Sequence, residues 1–257
     1  MSLSKPFVSI VIATYNAAST LKRAIDSVAS QKFEYIELII IDGGSTDETA
    51  SIVNNKSKGI VDYFVSEPDS GIHEAWNKGV KASNGEWIYF LGADDCLKDE
   101  NVIQRFYNEQ KNKTGKLFYA TVQMKDKEWL DLDLVGKPWG EVNQIFATAE
   151  NCVPHQSVFH HIELFNKYGF FDQSLKIAGD YDFLFRCYIN GIVPQFIEDF
   201  IVADMQDGGV SNDKRSRLTT YREFGFVRKK YGARVYTRRY IVLLLKGYFW
   251  LVFPRVI

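Results

Sequence analysis

The feature that most constrains this chain is a strand-then-helix rhythm over its first hundred residues, in which each apolar run ends in a polar cluster. Residues 8–13 (VSIVIA), 35–41 (YIELIII), 62–66 and 87–91 (WIYFL) are short runs rich in β-branched and aromatic side chains, the pattern of strands covered on both faces. Between them, Leu21, Ala24, Ile25 and Val28 repeat at helical spacing behind Ser19, a residue able to cap a helix. Ser45-Thr46-Asp47-Glu48 reads as a capping box, and residues 72–82 read as a further helix. Strands separated by such helices form parallel βαβ units, and open sheets of that kind bind ligands beyond the carboxyl ends of their strands. The polar clusters at residues 14–16, 42–47, 67–71 and 94–95 all fall there. Segments distant in sequence are therefore expected to meet in one cleft.

After Asn101 the rhythm changes. Residues 117–123 and 127–134 read as neighbouring strands around Lys125-Asp126, with later helices at 162–168 and 180–190. A partly mixed sheet follows, which excludes an eight-fold barrel. The expected fold is α/β: a Rossmann-like three-layer α/β/α arrangement with a mostly parallel central sheet. One domain is expected over residues 1–213, followed by a basic, aromatic helical extension over residues 214–257.

That extension stands out by charge. From Lys214 to Ile257 there are twelve Lys/Arg and a single acid, Glu223, a net +11; the other 213 residues carry a net −12, and the total is −1. An acidic body with a basic arm suggests an anionic surface as partner. The 13 residues from Ile241 to Phe253 are too short and too interrupted to span a bilayer, and cations beside aliphatic and aromatic groups suit an interfacial helix. Packing on the core or burial in a homo-oligomer are the alternatives, and no recognised nucleic-acid module accompanies the charge. The first apolar run is broken by Ser9 and lacks a cleavage pattern, so it reads as a buried strand instead of a secretion signal. Three cysteines without C-x-x-C spacing argue against a disulfide framework and suit a reducing cytosol.

Asp94-Asp95 is the sharpest chemical feature. Adjacent carboxylates repel, and a hard cation such as Mg²⁺ or Mn²⁺ makes the pairing favourable; a solvated turn capping the next helix is the plainer alternative. Asp42, followed by Gly43-Gly44, can accept hydrogen bonds from a base or ribose, or simply end its strand. Asp180-Tyr181-Asp182 opens an apolar helix, where acids either serve the helix dipole or supply a general base. His155, His160 and His161 read as structural. The chain lacks G-x-G-x-x-G, a P-loop and a G-x-S-x-G elbow.

In order along the chain, SIVIATYNAASTLKRAIDSVASQ, ELIIIDGGSTDETA, SEPDSGIHEAWNKGVKASNGEWIYFLGADD and AGDYDFLFR resemble the inverting family 2 glycosyltransferases of the GT-A fold, in particular bacterial enzymes that build lipopolysaccharide, capsule or exopolysaccharide. The resemblance implies a nucleotide-sugar-binding half at residues 1–100 and an acceptor and catalytic-base half at 101–213. It implies that Thr14, Tyr15, Asn16, Asp42, Asp69 and Asp94 line the nucleotide pocket, that Asp94 and Asp95 hold Mg²⁺ or Mn²⁺ against the diphosphate, and that Asp180 is the base. The implied reaction moves a sugar from a nucleotide-diphosphate sugar to a hydroxyl of a glycan or lipid-linked glycan acceptor. The implied location is cytoplasmic and peripheral on the inner face of the membrane. A polyprenyl-phosphate glycosyltransferase and a non-catalytic sugar-nucleotide-binding scaffold subunit are the alternatives. The sequence departs from the family pattern at Gly92, where the metal motif would begin with an acid, and at Gly179, where many relatives have Glu. No His lies in residues 204–209 to add a metal ligand.

Overall fold

The computed structural model describes residues 5–56, 59–140, 153–208, 216–235 and 238–252. The elements of the first half are β1 (Val8–Thr14), α1 (Leu21–Ala29), β2 (Ile36–Asp42), α2 (Thr49–Lys56), β3 (Tyr63–Ser66), α3 (Ile72–Ala82), β4 (Trp87–Gly92), β5 (Cys96–Leu97) and α4 (Val102–Gln110). Then come β6 (Leu117–Lys125), β7 (Asp131–Val135), a 3-10 turn (His155–Ser157), β8 (Val158–His161), α5 (Ile162–Tyr168), α6 (Gly179–Ile189), β9 (Gln195–Gln206), α7 (Arg217–Lys230) and α8 (Arg238–Val252).

The strands form one nine-stranded sheet in the order β3-β2-β1-β4-β8-β6-β9-β5, with β7 paired to β6. β1 runs parallel to β2 and β4, and β2 runs parallel to β3. Register places Thr14 opposite Asp42 and Asp42 opposite Ser66, so the strands end level with one another. Beyond β4 the sheet is mixed: β8 is antiparallel to both β4 and β6, whereas β9 is parallel to β6. The expected α/β architecture is present, and its parallel character is concentrated in the half where strands and helices alternate.

Alternation along the strands divides the core into two layers. Ile10, Ile12, Leu38, Ile40, Tyr89 and Leu91 face α1 and α4, where Leu21, Ile25, Ile103 and Phe106 are buried. Val11, Ile39, Ile41, Ile88 and Phe90 face the other way, toward Val80 of α3, Phe165 of α5 and Phe183 of α6. Phe224, Val227 and Tyr240 belong to that second layer, so the inner face of the C-terminal extension packs on the core. Two glycines let α7 and α8 approach each other closely. A Cβ on Gly225 would lie 2.0 Å from the Tyr240 hydroxyl, and one on Gly247 would lie 3.1 Å from the Leu218 Cα.

Local expectations failed in instructive ways. The Ser45–Glu48 capping box does not form: the helix begins at Thr49, whose N–H and hydroxyl donate to Asp47, while Ser45 turns back to Asp42. Ser19 does not cap α1, which has Thr20 at its N-cap without a side-chain bond. The second strand of the hairpin is confined to β7, because residues 126–130 form a turn closed by the Leu130 N–H to the Asp126 carboxylate. Among the described residues no helix is long and apolar enough to cross a membrane.

Candidate active site at the carboxyl edge of the sheet

Asp42 organises the ends of β1, β2 and β3. Its Oδ1 accepts from the Thr14 hydroxyl (2.9 Å) and the Ser45 hydroxyl, and its Oδ2 accepts from the Ser45 N–H (2.9 Å) and the Ser66 hydroxyl (2.6 Å). The residue is fully buried. Burial alone would raise its pKa, but the bonds from Ser45, Ser66 and Thr14 outweigh it and hold the carboxyl below its ordinary value. Asp42 therefore sits beneath the surface of the site with four donors, and a base could reach it only by exchanging for one of the hydroxyls. Ser45 and Ser66 were not foreseen; a serine next to a glycine pair carries no signal beyond a turn.

The loops on this scaffold are equally tied. Asn16, with φ of 50°, receives the Thr46 N–H on its side-chain oxygen (2.9 Å), and its own N–H donates to the Ser45 hydroxyl (2.7 Å). Tyr15 between them is 66 % exposed, a ring presented to solvent at the end of β1. Asp69 lies across from Gly43, where a Cβ would meet its carboxylate at 2.9 Å. Burial raises the Asp69 pKa despite the Gly71 N–H that its Oδ1 accepts at 2.9 Å. Gly44 has φ of 78° and packs against Pro68, a backbone state that a side chain would resist.

The two acids after β4 differ. Asp95 is 1 % exposed; its Oδ1 accepts the Gln206 N–H (2.9 Å), and its Oδ2 has no hydrogen-bond partner among the described residues. Burial, with the Asp94 carboxylate second, pushes its pKa up to about 7. Asp94 is half-buried, and its main-chain oxygen accepts from Arg23 (2.6 Å), which also reaches Gln206 (3.1 Å) and stacks 3.4 Å over the Trp129 ring. Arg23 gave no sequence signal, since a cation on an amphipathic helix reads as its wet face. Gly92 is required here: a Cβ would lie 2.3 Å from the Asp95 Oδ2 and 3.0 Å from the Asp94 Oδ1, so an acid at the start of the motif would displace the pair.

This donor set fits a hard divalent cation. Two carboxylates are held together, and one has a bare buried oxygen and a raised pKa, which neutralisation would relieve. Among the described residues no cluster of three or more His, Cys, Asp or Glu could hold a metal, so further ligands would come from a diphosphate and water. Asp204 does not supply one: it pairs with Lys98 at 2.8 Å.

Asp180 lies in the first turn of α6, and its Oδ1 accepts the Tyr181 N–H at 2.7 Å. The start of that helix meets the donor loops through His73 in the first turn of α3: a Cβ on Gly179 would lie 2.4 Å from the His73 Nε2. His73 thus occupies the space that the family's Glu would need at position 179. Its Nδ1 donates to the Leu175 carbonyl at 2.8 Å, and its buried Nε2 has no hydrogen-bond partner among the described residues. His155 and His160 lie in the aromatic core with Trp76, Phe90 and Phe165, and burial keeps both neutral, as the structural reading expects.

A family model described as "Glycosyl transferase family 2" matches residues 9–168. The chain belongs to that family. Among curated relatives of this glycosyltransferase, a "PGL/p-HBAD biosynthesis glycosyltransferase" of Mycobacterium tuberculosis is 30 % identical, covering 82 % of this chain and 81 % of the relative. An uncharacterized glycosyltransferase of Rickettsia typhi is 28 % identical over 87 % of this chain and 72 % of its own length. Two solved structures share the GT-A fold at low identity. A fragment of S. aureus TarS in complex with UDP-GlcNAc has a TM-score of 0.67 at 17 % identity, covering 96 % of this chain and 73 % of that one. The mannosyltransferase PcManGT of Pyrobaculum calidifontis, in complex with GDP-Man and Mn²⁺, has a TM-score of 0.68 at 16 % identity, covering 96 % and 70 %.

Proposed function

We propose that this glycosyltransferase moves a sugar from a nucleotide-diphosphate sugar to a hydroxyl of a glycan or lipid-linked glycan, with inversion, in cell-surface polysaccharide synthesis. The observation that supports this reading is the contact of Gly179, the residue before Asp180, with His73, which follows Asp69 by four residues at the start of α3. In the proposed reaction Asp180 takes the proton of the acceptor hydroxyl, the freed oxygen attacks the anomeric carbon, and the bond from that carbon to the diphosphate breaks on the opposite face. Tyr15 and Asn16 flank the base and ribose, with Asp42 and Thr14 holding the loop beneath them. Asp94 and Asp95 would hold Mg²⁺ or Mn²⁺. That cation, when bound, supplies neutralisation of the charge gathering on the departing nucleoside diphosphate.

The donors carried by the two structural neighbours, UDP-GlcNAc and GDP-Man, are the natural first probes. Thermal stabilisation by either in the presence of Mn²⁺, followed by product analysis with lipid-linked acceptors, tests the reading. Stabilisation without any transfer or donor hydrolysis would favour a scaffold role.

The outer face of α8 supports a peripheral membrane location on the cytoplasmic side. Ile241, Val242, Leu245, Tyr248 and Phe249 form an exposed stripe, opposite the buried Tyr240 and Leu243. Arg217 and Lys246 flank this stripe on one side, and Arg222 and Lys229 flank it on the other, a pairing suited to anionic lipid. Full-length protein is expected to co-float with vesicles containing anionic lipid and not with neutral ones. Equal flotation, or none, would reject the assignment.

A further inference from the structure

We propose that Glu223 is a positioning residue for the base: its carboxylate fixes the peptide that delivers Asp180, which makes the C-terminal arm a working part of the acceptor half. The proposal rests on the reading of Asp180 as the base.

Three consecutive backbone N–H groups converge on this one side chain. Glu223 Oε1 accepts from Lys176 (2.8 Å), and Oε2 accepts from Ile177 (2.9 Å) and Ala178 (2.8 Å). Ala178 is the N-cap of α6 and has no side chain to cap with, so the carboxylate of α7 satisfies donors that the local sequence leaves open. The geometry is that of an anion held in a nest of backbone amides, with the anion supplied from 45 residues away. Glu223 is also the single acid in residues 214–257, among twelve cations, and the carboxylate is spent on this loop.

The same stretch has further contacts on either side of residues 176–178 in sequence. His73 of α3 donates to the Leu175 carbonyl and packs on Gly179. Lys230, at the end of α7, bonds to Asp172 (2.8 Å) before the loop and to the fully buried Asp182 (3.0 Å) after it. Asp180 is therefore bracketed by contacts at 172, 175, 176–178, 179 and 182, with the arm supplying those at 172, 176–178 and 182. In the proposed donor pocket Thr14 bonds to Asp42, Asp42 also accepts from Ser45 and Ser66, and Asn16 bonds to Ser45 and Thr46. Loosening Glu223 should thus displace the base and spare the donor.

The test uses the full chain with UDP-GlcNAc and GDP-mannose, each with Mn²⁺, measuring release of UDP or GDP in wild type, Glu223→Ala and Glu223→Gln. Gln keeps one accepting oxygen, so it should fall between the other two. The expected result is a kcat lower by on the order of ten- to a hundredfold in Glu223→Ala, with the donor KM within about twofold. Amide exchange should quicken at residues 176–178 and stay slow in α1 and α3. A folded Glu223→Ala with unchanged kcat, or one whose donor KM rises in step with the loss, would overturn the proposal; if that variant does not fold, Glu223→Gln decides by the same readouts. Asp180→Asn separates the two claims. Release retained in Asp180→Asn overturns the base reading and this proposal with it, whereas an inactive Asp180→Asn beside an unaffected Glu223→Ala removes the positioning role alone.

Discussion

The two halves of the sheet hold their functional groups by different means. In the parallel half, β1, β2 and β3 end in register, and Thr14, Asp42 and Ser66 reach one another directly across adjacent strands. In the mixed half, the helix that bears Asp180 is fixed by side chains from α3 and α7, which are remote in sequence. The first site is a product of sheet geometry. The second depends on contacts that the C-terminal arm supplies.

The sharpest way to break this contrast is at Asp180. Asp180→Asn is expected to lower transfer by about 10²–10⁴-fold, the usual contribution of a general base, while calorimetric donor affinity stays near wild type. Affinity lost in parallel would mean that the halves are not separable.

Chelation probes the other half. EDTA is expected to weaken nucleotide-sugar binding by roughly tenfold or more, since it removes the neutralising charge between Asp94, Asp95 and the diphosphate. Unchanged calorimetric affinity would remove the cation from that pair.

Gly179→Glu should destabilise the protein by about 1–3 kcal/mol through overpacking against His73, read as a lower midpoint in urea. Adding His73→Ala should recover part of the loss. Full tolerance of the longer side chain beside an intact His73 would show that the contact between α3 and α6 is loose.

Lys230→Met should cost about 1–3 kcal/mol at neutral pH, because it leaves the buried Asp182 and the half-buried Asp172 each short of a donor. Burial tends to raise the Asp172 pKa, but bonds from Lys230 and Ser174 win and bring it to about 2. A carboxyl with a lowered folded-state pKa stabilises above its unfolded value of about 4, and that contribution is lost as pH falls from about 4 to about 2. The denaturation midpoints of wild type and Lys230→Met should therefore converge in acid. A constant gap down to about pH 2 would remove the ion pair from the account.

Much of the donor half was legible in the order of residues alone. Residues 72–82 form the expected helix α3, and the strands at 8–13, 35–41 and 87–91 each extend by a single residue at the carboxyl end. The clusters at 14–16, 42–47 and 94–95 do lie at that edge. The mixed half was less legible: β8 and β9 gave no clear period, because β9 is a twelve-residue strand whose burial alternates only in part. The arm offered an interfacial helix with an exposed apolar face, packing on the core, or burial in a homo-oligomer. The structure contains the exposed apolar face and the core packing, on opposite sides of α8.

By itself the sequence determined the alternation of strands and helices over the first hundred residues, the edge at which acids gather, and the asymmetry of charge, because periodicity and crossover handedness are local rules. Tertiary structure alone decided that Asp42 is buried under four donors, that Gly92 and Gly179 must lack side chains, and that Glu223 secures the approach to Asp180. The physical reason is that these contacts fall on common hydroxyls, on backbone N–H groups and on empty space. Every residue but proline offers the same N–H, and room for a side chain is set by whatever the fold brings alongside.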